Sequence, residues 1–163
     1  MATIEELLLT AVSIARSAGQ LAKEKWGQPL EMTSKGFRDI VTDADIAVQK
    51  QITDAIHAEF PDHGFLTEEA DSDLPPTGSI IWVIDPIDGT TNFANRLPWT
   101  SFCFGLAHNR DVLVGVVIDP WRNELYEAQR GKGAKRNGKP LIIEDQSGVD
   151  NPLASRVVST ELA

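Results

Sequence analysis

The sequence has a single cysteine, Cys103, which excludes an internal disulfide and suits a reducing compartment. Cys103 sits in an apolar run and is expected to be a small core residue. No apolar run approaches membrane-spanning length. Positive charge is scarce: 15 Lys and Arg stand against 24 Asp and Glu, a formal charge of −9. That balance argues against nucleic acid or an anionic membrane surface as a partner. Glu5 and Glu6 occupy the region where a signal peptide would be basic, so a cytoplasmic protein is expected. The three histidines, His57, His63 and His108, fall on an outer helix face or in turns, and no His/Cys constellation suggests zinc. There is no internal repeat and no low-complexity tract. With 42% hydrophobic and 24% charged residues, the 163-residue chain suits one domain with a real core.

Thr3-Ile4-Glu5-Glu6 reads as a capping box that opens a helix. Ile4, Leu8, Ala11, Ala15, Ala18, Ala22 and Trp26 follow at helical spacing, widened by Leu7, Ile14 and Leu21, and Gly27 and Pro29 stop the helix. Residues 28–41 read as a connector. Thr42 is placed to cap a second helix with Ala44, Val48, Ile52, Ala55, Ile56 and Phe60 on one face. Asp43 and Asp45 in its first turn suit the helix dipole. After a turn at residues 60–64, a strand over Gly64–Thr67 leads to Glu68-Glu69; if Glu68 points inward, alternation sends Glu69 outward. Asp71 to Ser79 reads as a surface loop. Phe102 to Ala107 and Val112 to Ile118 read as an antiparallel hairpin, with Glu124 to Ala128 as a third strand. Gly131, Gly133 and Gly138 mark turns around Ala134 to Arg136 and Leu141 to Ile143. The basic stretch from Arg130 to Lys139 reads as an exposed hairpin, with a phosphate-binding loop as the alternative. A short apolar run, Val157 to Leu162, lies near the end.

The stretch around which the chain is organised runs from Trp82 to Phe93, W-V-I-D-P-I-D-G-T-T-N-F. An apolar strand, Ile80 to Ile84, delivers two carboxylates, Asp85 and Asp88, around a proline. Pro86 fixes its own φ and pushes Asp85 into an extended conformation. Gly89 lets the backbone turn tightly and approach a ligand, and a helix beginning there would point its amides at phosphate oxygens. Two hard oxygen donors beside an anion site suggest a divalent metal with a phosphate, since Mg²⁺ takes one or two carboxylates and shares phosphate oxygens. Taken alone, Asp-Pro-x-Asp-Gly is also a good turn.

The twelve residues as a set resemble the signature of the inositol monophosphatase family, W-x-x-D-P-x-D-G-T-x-N-F, at every fixed position. The resemblance runs through the chain, from the helix pair and Asp-x-x-Thr-x-x-Asp to a meander with Gly-Lys-Gly-Ala and an Asn-Gly turn. It implies an α+β, sugar-phosphatase-like layered αβαβα architecture, of which residues 1–163 are the N-terminal, metal-binding half: a helix pair packed on an antiparallel sheet. It implies two or three Mg²⁺ ions, with Glu68, Asp85 and the Ile87 carbonyl holding one and Asp85 bridging to a second on Asp88. It also implies that Glu68 and Thr90 orient the attacking water, that Asp45 accepts a hydrogen bond from Thr90, and that the amides of Gly89 and Thr90 hold phosphate. Lys35 is a solvated loop lysine that in the family stands near the site. The family's Gly-Glu-Glu is here Thr67-Glu68-Glu69.

By the same resemblance the substrate is a small phosphorylated polyol, most closely inositol 1-phosphate, the enzyme is lithium-sensitive and the protein forms a homodimer. Related phosphatases acting on histidinol phosphate, 3′-nucleotide bisphosphates or fructose bisphosphate share Asp-Pro-x-Asp-Gly-Thr but tend to lack the Thr-Asn-Phe ending. The family's second half carries a Trp-Asp-x-Ala-Ala segment that completes the second metal site, and no such segment occurs here. The alternative expectation is therefore a truncated or split module that binds metal weakly and is not catalytic alone.

Overall fold

The computed structural model of the chain describes residues 2–36, 39–69, 79–109 and 111–142, with the backbone alone at Lys35 and Asp39. The expected place of the Lys35 side chain, most of the 71–79 loop and the apolar run at 157–162 lie outside the described residues. Helix α1 (Ile4–Trp26) opens on the expected box: Glu6 N–H donates to Thr3 Oγ1 at 3.2 Å and Thr3 N–H to Glu6 Oε2 at 2.7 Å. Its alanine stripe, Ala11, Ala15, Ala18 and Ala22, is fully buried. Small side chains bring the helix axis close to its neighbours. A Cβ at Gly19 would stand 3.3 Å from Ile118 Cδ1 and from Pro120 Cβ.

Residues 28–41, expected as a connector, hold a two-stranded antiparallel hairpin, β1 (Met32–Gly36) and β2 (Asp39–Thr42). Helix α2 (Asp43–Glu59) follows directly. Its buried face differs from the expected one. Ala44, Val48, Ile52 and Ile56 are buried, but Ala55 is exposed, and Asp45, Gln49 and Thr53 form a second, polar buried row.

The main sheet runs in chain order: β3 (Gly64–Thr67), β4 (Ile80–Asp88), β5 (Ser101–His108), β6 (Asp111–Asp119), β7 (Glu124–Gln129), β8 (Gly133–Arg136) and β9 (Lys139–Pro140). The expected antiparallel sheet is there, with one parallel pair at its edge. β3 pairs with β4 in parallel and every later pair is antiparallel. The physical reason is the long return between β3 and β4, since parallel neighbours need a connection of a dozen or so residues.

One face of the sheet packs on α1 and α2. Trp82, Ile84, Phe102, Phe104, Leu106, Val114, Val116, Ile118 and Leu125 point there and form the core, each contributing on the order of 1.5–3 kcal/mol by burial. The other face is uncovered among the described residues. Across it runs one register row of small residues, Val83, Gly105, Gly115, Ala128 and Ala134, the floor of an open, almost wholly apolar groove of about 570 Å³. Cys103 lines this groove, half-buried, rather than lying in the helix-side core. No described helix is long and apolar enough to cross a membrane.

Candidate functional site

In a regular strand, residues three apart face opposite sides. Asp85 and Asp88 do not. Asp85 pairs with Cys103 and Asp88 with Ser101, so three steps on β4 answer two on β5, and a bulge lies at Pro86–Ile87. Because Cys103 and Ser101 share a face, the bulge sets both carboxylates on the open side of the sheet. Ser101 Oγ donates to Asp88 Oδ2 at 3.0 Å. Ile87 is turned inward and fully buried.

Asp45 reaches the same place from α2. Its Oδ2 accepts from Thr42 N–H at 2.8 Å and from the Thr42 hydroxyl. The Thr90 hydroxyl lies 3.0 Å from both Asp45 Oδ1 and the Ile87 carbonyl oxygen, its one proton shared between the two acceptors. Burial raises the Asp45 pKa above the usual carboxylate value, and the hydrogen bonds from Thr42 and Thr90 oppose that rise. Asp43, one turn-position earlier, behaves oppositely. A hydrogen bond from Lys25 at 2.8 Å holds its pKa low, and its Oδ1 accepts from Glu31 N–H at 3.0 Å. Asp43 fastens α1 and the β1 entry to α2, whereas Asp45 turns to the site.

Glu68 stands just past β3, its N–H donating to the Ile84 carbonyl at 3.1 Å. Its carboxyl lies near enough to Asp85 to bear on that group's titration. Burial and the charges of Glu68, Asp88 and Asp45 together push the Asp85 pKa up to about 8. Asp85 Oδ1 is buried with no hydrogen-bond partner among the described residues. Among the described residues no three His, Cys, Asp or Glu side chains are gathered closely enough to hold a metal ion between them. The donor set nevertheless fits a hard cation. It is all oxygen, and a buried carboxylate oxygen without a donor, crowded by further carboxylates, is relieved by a bound Mg²⁺.

Gly89 takes φ 88° at the strand end, and a Cβ there would lie 3.0 Å from the Trp99 carbonyl oxygen. Only glycine fits both demands. The short helix α3 (Thr90–Ala94) is tied down from outside. Trp26 Nε1–H donates to the Phe93 carbonyl at 3.1 Å, Asn92 Nδ2–H to that of Trp99 at 3.0 Å, and Arg96 to the carbonyls of Trp26 and Gln28.

The structure thus brings Asp45, Glu68, Asp85, Ile87, Asp88, Gly89 and Thr90 to one end of β4. Two residues escaped the sequence reading. Ser101 precedes the strand expected from Phe102 and was not singled out. Gln49 was not singled out in the sequence, yet it is 2% exposed and its side chain grips the Glu69 N–H and carbonyl. Only its i+4 relation to Asp45 could have signalled this.

The Inositol monophosphatase family model matches residues 3–162. Inositol monophosphatase 1 of Solanum lycopersicum is 36% identical over 97% of this chain and 59% of its own length. The Nus factor SuhB of Escherichia coli (strain K12) is 41% identical over 83% of this chain and 51% of its own. Among solved structures, the extragenic suppressor protein suhB of Bartonella henselae superposes with a TM-score of 0.79 at 30% identity, over 82% of this chain and 53% of that one. The chain spans about half the length of these relatives.

Proposed function

This chain belongs to the inositol monophosphatase family, and from that premise we propose that it is the metal-carrying N-terminal half of a Mg²⁺-dependent phosphomonoesterase acting on a small polyol phosphate, inositol 1-phosphate foremost. The observation that carries this reading is Asp85 Oδ1, buried without a partner beside the Glu68 and Asp88 carboxylates. On this reading Glu68, Asp85 and the Ile87 carbonyl hold one ion, and Asp85 and Asp88 contribute to a second. Mg²⁺, when bound, supplies positive charge against the phosphate and makes water acidic enough to attack near neutral pH.

The chain's own groups do the positioning. Thr90, its proton drawn toward Asp45, offers an oxygen lone pair to the attacking water. Glu68 accepts the water's other hydrogen. The amides of Gly89 and Thr90 hold the phosphate, a role that suits the left-handed turn at Gly89. No side chain acts as a covalent nucleophile; rate enhancement comes from alignment and charge.

The open apolar face of the sheet and the half-length match support a division in which a second half supplies the polyol pocket and a further carboxylate. The same two observations favour, as a second reading, a truncated or split module that keeps the fold and binds metal weakly but is not catalytic. Phosphate release from inositol 1-phosphate, with Mg²⁺, separates them: negligible turnover by the 163 residues, regained on adding the family's C-terminal half as a separate chain, supports the enzyme reading. No turnover from the reconstituted pair supports the second. Insensitivity of a reconstituted enzyme to high millimolar Li⁺ would weaken the inositol-phosphate assignment.

A further inference from the structure

Gln49 lies in α2 four residues after Asp45, on the same buried row. Its Nε2–H donates to the Glu69 carbonyl at 2.9 Å, and its Oε1 accepts from the Glu69 N–H at 3.1 Å. A single side chain thus holds both backbone polar groups of one residue, as a neighbouring strand would. The Thr67 hydroxyl donates to the same Glu69 carbonyl at 2.9 Å. Thr67 is itself buried and stands where the family pattern has glycine. The residue enclosed by these two attachments is Glu68, whose N–H is fixed to Ile84 and whose carboxyl lies near Asp85.

We propose that Gln49, assisted by the Thr67 hydroxyl, is the positioning residue of Glu68: by clamping the Glu69 backbone N–H and carbonyl it fixes where the Glu68 carboxylate stands against Asp85, and so sets the cation affinity of the site. The inference rests on the metal-site reading above. Helix α2 is rigid and carries both Asp45 and Gln49, so one element aligns Thr90 and Glu68 together. Without the clamp, Glu68 sits on an exposed chain segment past the end of a four-residue strand, and the turn is free to carry its carboxylate away. Removing such an outer partner of a metal ligand typically weakens metal binding by about 10- to 100-fold.

The test uses the 163-residue chain with Mn²⁺ alone as the probe, its binding followed by electron paramagnetic resonance, and the Glu69 N–H followed by hydrogen exchange without metal. Gln49→Met keeps length and volume and removes both hydrogen bonds. It is expected to speed Glu69 exchange at least about tenfold and to weaken Mn²⁺ binding by about 10- to 100-fold. Gln49→Glu, which keeps the acceptor for the Glu69 N–H, should retain part of both. If Gln49→Met unfolds by circular dichroism, Thr67→Val decides: it should weaken binding in the same direction, while Thr67→Ser restores it. Binding lost in Asp85→Asn but unchanged in Gln49→Met and Thr67→Val overturns the positioning role alone. Binding absent from the unaltered chain, or unchanged in Asp85→Asn, overturns the metal-site reading instead.

Discussion

The indole Nε1–H of Trp82 donates to Nδ1 of His63 at 3.0 Å, tying a fully buried tryptophan to a turn histidine stacked on Phe60. An accepting Nδ1 carries no proton. Burial holds the His63 pKa below its ordinary 6.5, against a weaker upward pull from Asp62. The unfolded chain then binds a proton more readily than the folded one. This contribution to stability is complete above about pH 6.5 and is lost as pH falls from there through the lower folded value. Urea midpoints taken from pH 8 down to 5 should decline across that window, and His63→Leu should flatten the decline. The same substitution strands the indole N–H and is expected to cost about 1–3 kcal/mol at pH 8.

Asp85→Asn should separate stability from function. It removes a charge from a crowded carboxylate group and leaves an amide that can donate to Glu68. The metal-free chain is expected to gain about 1 kcal/mol, seen as a higher melting temperature, while added Mg²⁺ no longer raises it. In a complete enzyme the same change should nearly abolish turnover at any practical Mg²⁺ concentration. Near-normal turnover would remove Asp85 from the ligand set.

Thr90→Ala in a complete enzyme is expected to lower kcat by about 100-fold with little change in KM, because an aligned water matters chiefly in the transition state. Thr90→Ser, which keeps the hydroxyl between Asp45 and the Ile87 carbonyl, should recover most of the rate. A pure KM effect would place Thr90 in ground-state phosphate binding.

Gly89→Ala forces a Cβ to within 3.0 Å of the Trp99 carbonyl oxygen at φ 88°. A loss of about 1–3 kcal/mol is expected, read as a lower urea midpoint, with slower phosphate release from any reconstituted enzyme. Unchanged stability would mean that the 97–100 loop yields easily.

What was legible in the sequence was local. The helix caps, the glycine turn and the row of acids in the signature depend on residues a few positions apart, and each appeared where expected. The facing of Asp88 was not legible, because the bulge exists only in register with β5. Nor was the parallel placement of β3, since pairing order is settled by the whole sheet. The hairpin of β1 and β2 was missed because Met32 to Thr42 shows no clean alternation of apolar and polar residues. Gln49 was missed because an amide on a helix reads as solvent-facing until the strand it serves is in place. Cys103 was placed in the core on hydrophobicity alone, yet alternation with Phe102 and Phe104 sends it to the other face.

The bulge at Pro86–Ile87 leaves this strand one residue longer than its partner requires. Deleting either residue would let β4 pair with β5 without interruption, a more regular ladder and locally the easier arrangement. Asp88 would keep its place opposite Ser101 on the open face, but the displaced backbone would no longer aim the Ile87 carbonyl at Thr90. A screen for hardier variants that allowed one-residue deletions would therefore be drawn to this step, and whatever it kept for firmness would have retained both acids while losing the carbonyl oxygen set between them.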